Sequence, residues 1–297
     1  MALTDLSRCS VAFRDRGDPL AGSAPVASRW LLIEHPGPWS PEPLETPPLQ
    51  GAVGAEVERS CAAFGGRVLL IRRPGRRGSV EGERSWFAVD TVRGTWVHGL
   101  WHTAADLVRA VTSLGVELSN SDDDAPPMVL VCTHAMRDAC CAVRGRPIAT
   151  SLARTWPDEV WECTHLGGHR FAGTLLSLPD GACYGRLDPD MAESVVARHR
   201  DGLAEARYLR GTTRWEPAVQ AALAEVLRAG PPGPVDDAVP GSVDVDGDVT
   251  MVEVFGRGAL PEVTWVRVVA EALPEVPLSC GGKPKAHTAY RCEIIPV

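Results

Sequence analysis

Apolar and polar positions fall in blocks along this chain, and the blocks predict strands and helices in turn. RWLLIEH (29–35) and RVLLIRR (67–73) are apolar runs of strand length, the pattern of strands covered on both faces. RSWFAVDT (84–91) predicts a third strand. A proline-rich loop, HPGPWSPEPLETPPLQG, leads to AVGAEVERSCAAF, a predicted helix, and HTAADLVRAVTSLG (102–115) predicts a second helix ended by Gly115. The acidic SNSDDDAPP (119–127) reads as a boundary. The order then repeats. PMVLVCT (127–133) predicts a strand, RPIATSLARTW a helix with Pro147 near its first position, and EVWECT (159–164) a strand. FAGTLLSLP and ACYGRLDP predict a hairpin about Pro179, Asp180 and Gly181, and MAESVVARHRDGL a closing helix.

β-α-β followed by β-β-α is the thioredoxin order, and it expects a mixed sheet with a right-handed parallel crossover. The fold class expected is therefore α/β (α+β), in three parts. A degenerate thioredoxin-like half covers 1–122 and a thioredoxin-like domain 123–213. A small α+β segment covers 214–297, where the helix RWEPAVQAALAEVLRAG precedes the strands VTMVEVFG, VTWVRVVAEAL and AYRCEIIPV. Setting RVLLIRRPGRRG against EVWECTHLGGHR puts Arg73 and Arg77 where His165 and His169 stand. Arginine stays protonated and cannot ligate a cation, so the first half reads as a scaffold that lacks a site.

Composition narrows the function. The chain has 297 residues, 44% of them hydrophobic, with a formal charge of −8. That balance argues against nucleic acid as a partner. No run approaches the ~18 apolar residues of a membrane span, and the N-terminal stretch is broken by charges where a signal peptide needs an apolar core. A cytoplasmic protein with reduced thiols is expected. Five of its nine cysteines lie between positions 132 and 183, and cytosolic Cys/His clusters point to metal or redox chemistry. There is no CxxC for dithiol exchange and no GxGxxG for a dinucleotide.

The candidate ligands in that region are Cys132, His134, Cys140, Cys141, Cys163, His165 and His169. Cys132 and Cys141 flank one loop after the first strand of the repeat; His165 and His169 flank a glycine pair after the second. If those strands are neighbours, both loops face one sheet edge and two sulfurs meet two imidazole nitrogens. Zinc accepts such a set, and so does a [2Fe–2S] cluster with two Cys on one iron and two His on the other. The tripeptide CTH occurs at 132–134 and again at 163–165. Cys132, His134, Cys163 and His165 are thus a second set that the spacing allows, because residues i and i+2 of an extended chain share a face. Cys9, Cys61, Cys183, Cys280 and Cys292 read as small apolar residues.

CTHAMRDACC followed by HLGGHRFAG resembles the signature of the sucrase/ferredoxin-like family, whose members contain a thioredoxin-like [2Fe–2S] ferredoxin domain. The specific part of the resemblance spans about 127–190; RWLLIEHPGPW and the rest are similar more loosely. By position, the resemblance implies Cys132, Cys141, His165 and His169 as the iron ligands of a [2Fe–2S] cluster. It implies a one-electron carrier whose partners are a reductase and an acceptor protein. A cluster-based redox or iron sensor and a zinc-stabilised interaction module are the alternatives. No pair of carboxylates supports the hydrolase in the family's name.

Overall fold

The computed structural model describes residues 8–75, 82–115, 118 and 124–296. In chain order the elements are α1 (Cys9–Asp15), β1 (Arg29–Glu34), α2 (Ala52–Ala63), β2 (Gly66–Arg72), β3 (Arg84–Asp90), β4 (Thr95–Trp101), α3 (Asp106–Ser113), β5 (Met128–Cys132), α4 (Ala139–Thr155), β6 (Val160–Cys163), β7 (Leu175–Leu178), β8 (Ala182–Tyr184), α5 (Pro189–Arg200), β9 (Leu209–Thr212), α6 (Pro217–Ala229), β10 (Ala238–Asp246), β11 (Val249–Gly256), β12 (Val263–Pro277) and β13 (Pro284–Ile295). The chain is mixed α/β, as the block pattern expects. Among the described residues no helix is long and apolar enough to cross a membrane.

By contact density the chain divides into two units. The sheet unit takes Ala27–Leu166 and Leu175–Gly181; the composite unit takes Met1–Val26, Gly167–Thr174 and Ala182–Val297.

The sheet unit carries strands in the order β4-β3-β1-β2-β6-β5-β7. β1 runs parallel to β2 and antiparallel to β3; β5 runs parallel to β6 and antiparallel to β7. The two halves of this sheet repeat one topology, joined where β2 pairs antiparallel with β6 (Ile71 opposite Cys163). Trp30, Leu31, Leu32 and Ile33 of β1 are all fully buried, which explains the unbroken apolar run. Helices α2 and α3 close one core through Val57, Cys61, Leu107 and Val111 against Leu31, Ile33 and Leu70. Arg73, at the position equivalent to His165, lies over the Trp161 ring (3.6 Å to its centroid). Its Nη1 donates to the carbonyls of Pro157, Asp158 and Val160, so the first half uses this position as a staple. Arg77 lies outside the described residues, as do 119–123 of the expected boundary.

Several elements differ from the sequence expectation, the unforeseen strands β9 and β10 among them. β4 was hidden because Gly99 and His98 interrupt the alternation of TWVHGLW; the glycine is required there, since a Cβ would sit 2.7 Å from the Trp86 ring. The seven residues of α1 are too few and too charged to show a period. Most consequential, α4 begins at Ala139, not at Arg146, and holds Pro147 in its interior. Asp138 caps it by accepting from the Cys140 amide (2.8 Å). Pro147 removes the bond to the Val143 carbonyl, and Val143 is 43% exposed, where water is at hand.

In the composite unit β8 pairs antiparallel with β9, and β10-β11-β12-β13 form an antiparallel sheet. Helix α6 packs on that sheet and on β9, burying Val219, Ala222, Leu223 and Val226. The turn between β12 and β13, residues 278–283, contains Cys280 and Gly281.

Candidate metal centre

Two parallel strands set the geometry. β5 and β6 are in register with Cys132 opposite Cys163, so the chain leaves both at one edge. Cys132 is the last residue of β5, and His165 lies two residues beyond β6. Cys141 returns to the same edge in the first turn of α4, on a helix rather than on the loop that its spacing suggested.

Close packing makes the return possible. Gly145, one helical turn after Cys141, lies so near the end of β5 that a Cβ there would meet the Cys132 carbonyl oxygen at 2.0 Å. The helix therefore rests directly on the strand end and presents Cys141 to Cys132. The donor atoms of Cys132, Cys141 and His165 all lie within 4.8 Å of one another. His165 Nδ1 is 3.6 Å from the Cys141 sulfur and 3.9 Å from that of Cys132.

The electrostatics favour one thiolate first. Hydrogen bonding from Cys141 holds the Cys132 thiol well below its ordinary range, helped by His165 and the Leu166 amide against the cost of burial. Cys141 is pushed up because it keeps the proton shared with Cys132 and is itself buried beside that charge. Both cysteines are 1% exposed, whereas His165 is half-buried. His165 lines a cleft of about 440 Å³ together with Glu42, Glu45, Glu58, Arg67 and Arg137.

A buried network holds the two loops together. Glu162 on β6 accepts from Thr133 Oγ1 (3.1 Å) and pairs with Arg72 (2.7 Å), which lies over the Trp39 ring. Thr133 also donates its amide to the Cys163 carbonyl (3.1 Å). Arg137, inside the ligand loop, pairs with Glu42 and not with Asp138, which is occupied as the cap of α4.

His134 and Cys163 lie elsewhere. The His134 ring reaches the Ser40 carbonyl through Nε2 (2.9 Å) and meets Trp39 edge to face. Cys163 is fully buried within β6. Neither is in the converging group of Cys132, Cys141 and His165.

His169 belongs to the composite unit, where it opens a 3-10 turn, His169–Phe171. Gly167 (φ 82°) and Gly168 (φ 68°) are both left-handed, which is what the glycine pair is for. Arg210, 1% exposed, holds this bend: its Nη1 donates to the Gly167 carbonyl (3.0 Å) and its Nε to Ser23 Oγ (3.1 Å). A Cβ on Gly168 would run into the same guanidinium. Gly145, Glu162 and Arg210 are the positioning residues that sequence reasoning missed. Of these only Gly145 left a trace, a glycine four residues after a cysteine and two before a proline.

Two buried thiols and a half-buried imidazole that converge are a donor set suited to a metal ion. The sequence profile of the sucrase/ferredoxin-like family matches residues 20–211. Over 84 residues the chain is 29% identical to altered inheritance of mitochondria protein 32 from Meyerozyma guilliermondii. That alignment covers 25% of this chain and 30% of the relative's length. No solved structure matches. With the matched region spanning well over half of its length, the chain belongs to the sucrase/ferredoxin-like family.

Proposed function

We propose that this protein is a cytoplasmic one-electron carrier holding a [2Fe–2S] cluster through Cys132, Cys141, His165 and His169, and that it passes electrons from a reductase to an acceptor protein. The observation that carries the reading is the convergence of Cys132, Cys141 and His165 at the common edge of β5 and β6. The cluster, when bound, supplies a reversible one-electron couple. The chain's own residues do the rest. Cys132 and Cys141 supply buried thiolates, shielded from solvent and from oxidants. The backbone-anchored loops, held by Glu162 and by Arg210, fix donor positions so that little rearrangement accompanies a change of charge. His165, half-buried, is the most accessible of the three converging donors, and the cleft of about 440 Å³ in front of it is where a partner approaches.

Anaerobic purification followed by metal and sulfide analysis tests the reading. The expected protein is red-brown, with about two irons and two labile sulfides per chain, the composition of the cluster. A colourless protein with one zinc per chain would overturn it.

A further inference from the structure

Cys9 and Cys280 are 271 positions apart in the chain, yet their sulfurs are 3.7 Å apart, with the Cys280 thiol donating toward Cys9. Both lie in the composite unit, and neither belongs to the metal centre. Cys9 begins α1 and is 5% exposed; Cys280 sits half-exposed in the turn between β12 and β13.

What these two segments enclose gives the pair its interest. α1 packs on the turn that starts at His169, with Phe13 edge to face against Phe171 at 6.2 Å. Val276 and Leu278, at the end of β12 and the start of the turn, pack on the same Phe13, Leu20 and Phe171 group. The thiols thus join the helix and the hairpin, both of which pack on the cluster that includes Phe171 of this turn.

Closing to a disulfide requires the sulfurs to move from 3.7 Å to about 2.05 Å. The hairpin turn can supply that movement. Gly281, next to Cys280, is left-handed (φ 73°) with no atom within 4 Å of where its Cβ would be, so the turn is open on that side. Arg170, on the same turn as His169, lies over the Phe171 ring (4.5 Å to its centroid) and the Phe13 ring (5.7 Å), so its charge stands beside α1.

We propose that Cys9 and Cys280 form a hydroperoxide-responsive disulfide that clamps α1 and the β12–β13 hairpin over the turn carrying His169. Cys280 is the accessible partner. Its sulfur attacks a peroxide oxygen, the O–O bond breaks, and the leaving oxygen departs with the thiol proton as water or an alcohol. The resulting sulfenic acid is attacked by Cys9; the S–O bond breaks, and hydroxide leaves with the Cys9 proton as water. Two thiols give up two electrons and two protons, and the peroxide takes them. A dithiol or glutathione reverses the reaction. The disulfide itself stands independently of any ligand assignment; its consequence for the metal centre rests on the reading of His169 as a ligand.

The test uses the full cluster-loaded chain, reduced, desalted without oxygen and treated with stoichiometric hydrogen peroxide. Remaining thiols are alkylated and the protein is digested without reduction for mass spectrometry. The expected product is a peptide pair joining Cys9 to Cys280, absent after dithiothreitol and absent in Cys280→Ser, a half-exposed turn position where serine preserves the fold. Amide exchange in α1 and at 169–171 should slow by about tenfold or more on oxidation, the clamp reading as lost local opening. Alkylation of both thiols after peroxide overturns the proposal, as does protection of both without a cross-link, or a cross-link between Cys132 and Cys141 alone. A cross-link with unchanged exchange overturns the clamp. Absorbance of the same preparation before peroxide is added reports the cluster separately, since peroxide bleaches iron–sulfur clusters: a colourless preparation whose chain still forms the cross-link refutes the cluster and leaves the disulfide standing.

Discussion

Replacing Gly145 with alanine tests how the metal centre is assembled. The added methyl would lie 2.0 Å from the Cys132 carbonyl oxygen, where ordinary contact begins at 3.4 Å. The neighbour is main chain at the end of a central strand, so it cannot swing aside as a side chain would. α4 must move by about 1.4 Å to restore contact, and it carries Cys141 one turn away. Metal sites tolerate donor displacements of about 0.2 Å, so the shift exceeds the tolerance several-fold. Overpacking of this kind costs about 1–3 kcal/mol. With a denaturant slope of roughly 3 kcal/mol/M, the urea midpoint should fall by about 0.3–1 M. The assay is metal content per chain, measured beside a urea transition. Arg146→Ala, an exposed change on the same helix, should alter neither. If Gly145→Ala retains both a full metal complement and the wild-type midpoint, the contact between α4 and β5 does not set the cysteine pair, and the argument fails.

Four further outcomes follow from the geometry. Cys132→Ser, Cys141→Ser, His165→Ala and His169→Ala should each abolish or shift the visible spectrum, while His134→Ala and Cys163→Ser leave it nearly unchanged; loss of colour in His134→Ala with retention in His169→Ala would favour the two CTH tripeptides. The reduction potential of the loaded protein should lie above the roughly −400 mV of all-cysteine plant-type ferredoxins, because two imidazole ligands bring less negative charge than two thiolates; film voltammetry giving a value at or below that level would count against this. Arg210→Lys keeps the charge but loses the fork that reaches both Gly167 and Ser23, and should lower stability by about 1–3 kcal/mol; an unchanged urea midpoint would show that the bend holds itself. His35 is 2% exposed and its pKa is lowered, chiefly by burial. The folded state therefore favours neutral His35, whose stabilisation is present above about pH 6.5 and is lost as the pH falls below it, while the unfolded chain gains the proton; His35→Gln should flatten the fall in urea midpoint between pH 7.5 and 5.5, and parallel curves for the two proteins would refute that.

Much of the fold could be read along the chain because its evidence is local. The buried strands β1 and β2 announce themselves as apolar runs, and α2 as a helix between turn residues. The repeated order of blocks anticipates the two halves of one topology. Where local pattern was weak or misleading, reading failed. TWVHGLW lost its alternation to a glycine whose reason is the Trp86 ring across the sheet. A proline that marks a helix start in most sequences sits in the ninth position of α4, because the Asp138 cap and the packing of Gly145 outweigh one missing hydrogen bond.

By itself, the sequence determined the donor chemistry, the order of the elements that carry it and the left-handed glycine pair between two histidines, since residue type and neighbouring positions suffice for these. Only the tertiary structure decided which donors meet. Cys132 and His165 come together because β5 and β6 are parallel and in register, Cys141 because a helix can approach a strand end only where Gly145 has no side chain, and Cys9 and Cys280 because two segments 271 residues apart pack on one phenylalanine cluster. Contacts between distant segments depend on the packing of everything between them, and no local pattern records it.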